Sequence, residues 1–148
     1  MLLTLTPPRS RFQRHVSFDN FAAAKPTEKN FPSLTLYAKH KGYAFKRQSR
    51  TFMVGVDENE YSDIALQWLL DEMVDEGDEV ICVRVIEEDS KKLNYRNLEE
   101  KQYQKEAQTL LDKIQSKNHV DRAISITLEL AVGNLYKTFQ RLVSTSWV

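Results

Sequence analysis

The chain has 148 residues, enough for one hydrophobic core. Its one cysteine, Cys82, excludes an internal disulfide framework and a cysteine-based zinc site, His15, His40 and His119 are too dispersed to suggest another metal site, and the longest apolar run falls far short of a membrane span. The net charge of zero hides an asymmetry, because residues 1–50 carry ten Lys/Arg against Asp19 and Glu28, whereas residues 51–148 carry eleven against nineteen acids.

Residues 1–48 contain all four prolines (Pro7, Pro8, Pro26, Pro32) and no sustained periodicity, so they are expected to form a disordered basic tail. Such an arm is either simply solvated or an interaction segment for nucleic acid, an anionic membrane or the chain's own acidic body. Three arginines and no acid before Asp19 faintly resemble a mitochondrial transit peptide, but Pro7 and Pro8 interrupt the helix that such a peptide needs. With a single cysteine, a reducing, cytoplasmic location is expected, with the nucleus as the alternative. "SLTLYAKHKGYAFKRQSR" interleaves aromatic with basic residues, which either stack on bases or lie along the domain surface; no RNA-binding motif accompanies it, and nucleic acid is not the expected partner. "RHVS" and "RQSR" place Ser17 and Ser49 beside arginines, as basophilic kinases favour, although ordinary linker residues give the same pattern.

From Thr51 the elements alternate. "TFMVGV" (51–56) reads as a strand covered on both faces. A helix follows from Asn59 or Glu60 to Glu76, with Asn59 as its cap, Glu60 and Asp63 at its positive end, Gly77 as its stop, and Tyr61, Ala65, Trp68, Leu69 and Met73 as its apolar stripe. "EVICVRVI" (79–86) is a second interior strand, in which Cys82 is a small buried hydrophobe. A long helix over 93–117 shows Leu98, Ala107, Leu110, Leu111 and Ile114 on one face. "AISITLEL" (123–130) alternates strictly and is expected to be an edge strand with Ser125, Thr127 and Glu129 toward water. After a turn at Gly133 and Asn134, "LYKTFQRLV" begins a third helix. The body therefore reads β-α-β-α-β-(α), with parallel strands in the spatial order 3-2-1, right-handed crossovers, both helices on one face and little to cover the other.

These residues resemble the universal stress protein domain, in a fungal-type version, from about Arg47 to Phe139. The resemblance rests on "VGVDENEYSDIALQWLLDEM" at the first strand-to-helix junction, "DEVICVRVIE" for strand two and "LAVGN" after strand three. Asn59, Arg84 and Leu135 stand where many members have Ser, His and Pro. The family implies an α/β, Rossmann-like (adenine nucleotide alpha hydrolase-like) parallel sheet of order 3-2-1-4-5, with adenine nucleotide bound where the order reverses. Carried over, Val56 and Asp57 match adenine contacts and Val85 an apolar contact at the end of strand two. Asp57 also suits the alternative role of an acid that holds helix-entry amides. ATP-binding members cradle the phosphates in a glycine-rich loop after strand four; Gly42, Gly55, Gly77 and Gly133 are the only glycines here and are too far apart for one.

Residues 49–148 are thus expected to be a C-terminally truncated domain comprising strands one to three, in which ATP binding is weak or lost. The first strand then becomes an apolar edge prone to self-association or to pairing with a partner chain. Ser62, Ser125, Ser144 and Ser146 lack a nucleophile motif and the acids form no obvious catalytic pair, so no enzyme is expected. The alternative is a nucleotide-independent interaction module with a phosphorylatable tail.

Overall fold

The computed structural model describes residues 12–19, 33–87, 96–133, 140 and 143–144. Five strands form one sheet: β1 (Phe12–Asp19), β2 (Ser33–His40), β3 (Thr51–Gly55), β4 (Glu79–Glu87) and β5 (Ser125–Gly133), in the order β1-β2-β5-β4-β3. Helix α1 (Glu60–Trp68), continued by a π-helical turn (Leu69–Met73), connects β3 to β4, and α2 (Arg96–Ser116) lies between β4 and β5. The parallel half, β5-β4-β3, is the 3-2-1 arrangement that the alternation of elements implied.

The other half corrects the sequence reading. A structureless tail over 1–48 and an edge position for 123–130 fail together, because β2 pairs antiparallel with β5 from Ser33 opposite Ala131 to Lys39 opposite Ser125, and β1 pairs antiparallel with β2. This makes β5 the central strand. Period-two burial explains the pairing: Leu34, Leu36 and Ala38 are fully buried, in register with Leu130, Leu128 and Ile126, which lie opposite Arg84, Cys82 and Val80 of β4. On the other face Ser125 and Thr127 are buried and Glu129 half-buried instead of solvated, and Thr35 Oγ1 donates to Glu129 Oε2 across the pair at 2.7 Å. That face is not bare either, since Val83, Val85 and Ala131 are buried on it. From β1, Arg14 Nη2 reaches over to α2 and donates to Gln115 Oε1 (2.7 Å) and Asp112 Oδ1 (2.5 Å). Residues 1–11 and 20–32 lie outside the described residues, as does most of the third helix expected after Gly133.

Both helices cover one face of the sheet, as expected. From α1 and the turn after it, Leu66, Leu70 and Val74 enter the core at a spacing of four; from α2, Ala107, Leu111 and Ile114 do so. The apolar stripe read from the sequence therefore sits on the wrong side of α1: Tyr61, Trp68 and Met73 are exposed and only Leu69 of that set packs against the core. The π turn is closed by Val74 N–H donating to the Leu69 carbonyl at 3.1 Å, an i+5 bond that lets Leu70 and Val74 both stay inside. Asp63 accepts from Lys113 Nζ at 2.8 Å, tying the two helices together; that bond holds the Asp63 carboxyl below its usual range, so its stabilising effect is present at neutral pH and is lost as pH falls through the lowered value. Cys82 is fully buried, and burial pushes its thiol up to about 12, which leaves it a core side chain.

The amino-terminal ends of the parallel strands are fixed by one buried carboxylate. Asp78 accepts from the Arg50 amide (Oδ1, 2.8 Å), the Arg50 guanidinium (Oδ2, 3.0 Å) and the Asp75 amide (Oδ2, 2.9 Å). Its own carbonyl takes the Ser125 amide, and the Arg50 carbonyl takes that of Glu79, so β3, β4 and β5 start at one point. Gly77, at φ +90°, supplies the turn before it.

Leu36 distinguishes a packed strand from a solvated tail. Leu36→Ala is expected to cost about 2–5 kcal/mol in urea unfolding, the usual range for a buried leucine; a tail residue would change the midpoint hardly at all.

Candidate functional site

At the opposite, carboxyl ends of the parallel strands the chain turns sharply from β3 into α1. Val56 N–H still donates to the Val83 carbonyl (2.9 Å), and the backbone then leaves the sheet. Asp57 N–H donates to Ser62 Oγ (2.9 Å), Asn59 N–H donates to Asp57 Oδ1 (2.6 Å), and Asn59 Oδ1 accepts from Tyr61 N–H (3.1 Å). Three short polar side chains thus hold the amides of the turn into α1, and Asn59 takes one that the first helical turn leaves without a partner. Asn59 is the cap that the sequence indicated, and the Asp57 carboxylate takes up the helix-entry role that the sequence left open beside ligand contact.

Above this junction lies a cavity of about 560 Å³, within the size range of small-molecule sites. Asp57 and Glu58 line it from the loop, Arg84 and Leu130 from the ends of β4 and β5, and Lys105, Glu106, Thr109, Leu110 and Lys113 from α2. Three cations and three carboxylates therefore share one opening. Lys113 is engaged by Asp63, and Arg84 makes a long contact (3.4 Å) to the carbonyl of Val85. The site lies where open parallel sheets gather ligands, outside the carboxyl ends of the strands.

Of the three residues carried over from the family resemblance, Asp57 lines the cavity. Val56 belongs to the core cluster, and Val85 is buried opposite Ala131, on the sheet face away from Arg84. None of the residues that line the cavity is a glycine. Sequence reasoning missed Lys105, Glu106, Thr109 and Lys113, which it read only as the polar face of a long helix; Arg84, the one charge in an apolar strand, was the available signal. Of the two candidate phosphorylation sites, Ser17 falls in β1, and Ser49 is half-buried in a turn where its Oγ accepts from Lys46 N–H at 2.8 Å. Among the described residues there is no cluster of three or more potential metal ligands, and no helix is long and apolar enough to cross a membrane.

The chain thus carries an α/β domain, a mixed sheet whose parallel half has a ligand-sized cavity at the carboxyl ends of its strands. Residues 48–143 match the universal stress protein family, and the chain belongs to it. It is 37% identical over 131 residues, 88% of its length, to a universal stress protein A family protein of Schizosaccharomyces pombe, and spans 41% of that protein. The match is longer than the stretch from residue 48 to the last residue, so it extends into the region of β1 and β2. No solved structure matches the chain.

The cap is testable without any ligand. Asn59→Ala should lower stability by about 0.5–2 kcal/mol, the range for removing an N-cap side chain, measured by denaturant unfolding.

Proposed function

We propose that this chain, a member of a family with a stress-response role, acts by binding and not by catalysis, and that its cavity takes an adenine nucleotide only weakly. The observation that carries this reading is the state of Asp57: it is the one carried-over residue in the cavity, and its carboxylate already accepts from Asn59 N–H. Val56 and Val85 are committed to burial within the domain. On the phosphate side the cavity offers exposed Lys105 and half-buried Arg84 in place of a cradle of glycine amides. Flexible side-chain cations facing solvent hold a triphosphate less firmly than fixed backbone donors. A cytoplasmic setting suits the single free thiol of Cys82.

Calorimetric titration of the purified chain with ATP tests this. The expected dissociation constant is no tighter than about millimolar, near 4 kcal/mol. Micromolar affinity would overturn the reading.

A further inference from the structure

Helix α1 has a second apolar stripe, on the side away from the core. Tyr61 is 80% exposed, Ile64 59% and Trp68 57%, at the i, i+3, i+7 spacing of one helical face, and Met73 is exposed in the π turn beyond them. The stripe is about 18 Å long. It lies in the most acidic part of the chain: between Arg50 and Arg84 there are ten acids and no lysine or arginine. Asp63 is paired with Lys113, and Asp75 and Asp78 share Arg50, while Glu60, Asp71, Glu72 and Glu76 flank the stripe as exposed residues. Beside it, β3 is the last strand of the described sheet.

The β2–β3 connection is the complement of this surface. Between Glu28 and Asp57 there is no acid, and Lys41, Lys46 and Arg47 are exposed around Phe45, itself 62% exposed. The loop is held in shape. Tyr43 N–H donates to the His40 carbonyl (2.9 Å), Gly42 N–H to His40 Nδ1 (3.0 Å), and Lys46 and Ser49 bond each other twice (Lys46 N–H to Ser49 Oγ, 2.8 Å; Ser49 N–H to the Lys46 carbonyl, 3.0 Å). Lys39 lies over the Tyr43 ring at 5.5 Å. An aromatic residue on a preorganised basic loop makes a good anchor, because little conformational freedom is lost on docking. Within one copy the loop is tied to the base of the sheet, where Ala44 and Ser49 lie against Gly77 and Arg50 is bound by Asp78. The stripe on α1 climbs away from that base toward Tyr61.

We propose that the basic loop of one copy, led by Phe45, docks on the acidic apolar face of α1 of a second copy, centred on Trp68. The contact joins two different surfaces, so it is head-to-tail, and it generates concentration-dependent oligomers and not only a closed dimer. Its charged rim makes it sensitive to salt.

The test uses sedimentation velocity on the full chain and on two surface variants, Phe45→Ser and Trp68→Ser, each checked for an unchanged circular dichroism spectrum and thermal transition. The unmodified chain should associate with rising concentration and dissociate with rising salt. Each variant alone should self-associate about tenfold or more weakly, as loss of an anchoring aromatic does. Mixed, they should form a one-to-one heterodimer, because each supplies the face that the other lacks. If either aromatic variant misfolds, Lys46→Glu and Glu72→Lys in separate chains ask the same question, and their mixture should associate more tightly than either alone. A chain that stays monomeric overturns the proposal. So does a mixture no more associated than its parts, or variants that dimerise as well as the unmodified chain, a result that would point to pairing along the β3 edge.

Discussion

The antiparallel pairing of β2 with β5 is the constraint on which the rest of the sheet depends. It turns β5 from an edge strand into the centre and closes a continuous apolar layer, Leu34, Leu36 and Ala38 against Ile126, Leu128 and Leu130 against Val80 and Cys82. Fully burying a leucine is worth about 1.5–3 kcal/mol, and a domain has about 5–15 kcal/mol in total. Leu34 and Leu36 alone therefore represent a large share of that margin. The same pairing gives the strand a partner for the polar face that its alternation displays, as the bond from Thr35 to Glu129 illustrates. The S. pombe relative, whose match extends into the region of β1 and β2, has sequence similar to this chain there as well.

The two ends of the parallel strands are built differently. At the amino ends, buried Asp78 collects donors from Arg50 and Asp75 and its neighbours tie three strand starts together. A buried carboxylate is stable only when it is paired and hydrogen-bonded, and here both oxygens are satisfied. At the carboxyl ends mostly exposed polar groups line a cavity with charges of both signs. The strand starts are tied together at one pole, and a charged cavity opens at the other. Asp57 both lines that cavity and accepts from the Asn59 amide at the entry to α1.

The parallel half of the fold was legible because its signals are local: continuous apolar strands, a cap at Asn59, a glycine stop at Gly77, and helices long enough to show a period. The antiparallel half was present in the sequence too. Leu34, Leu36 and Ala38 alternate with Ser33, Thr35 and Tyr37, and Phe12, Val16 and Phe18 keep the same period. Four prolines and an excess of basic charge drew the reading toward a tail, because composition describes a whole segment whereas a strand needs only eight residues of it. Helix α1 defeated the reading for another reason. It is apolar on two sides, and spacing alone does not say which side faces the sheet; Trp68 and Tyr61 are larger, but Leu66, Leu70 and Val74 are buried. The cavity was legible at Asp57 only, since the α2 residues that complete it lie far away in sequence and are brought there by tertiary packing.

Amide hydrogen exchange across residues 33–40 tests the central claim most directly. If β2 is a core strand of the sheet, its amides bonded to β5 should exchange only with global unfolding, as slowly as those of β4 and β5. Exchange of these amides at the rate of an unstructured peptide, while β4 and β5 remain protected, would contradict the account and return the segment to the status of a tail.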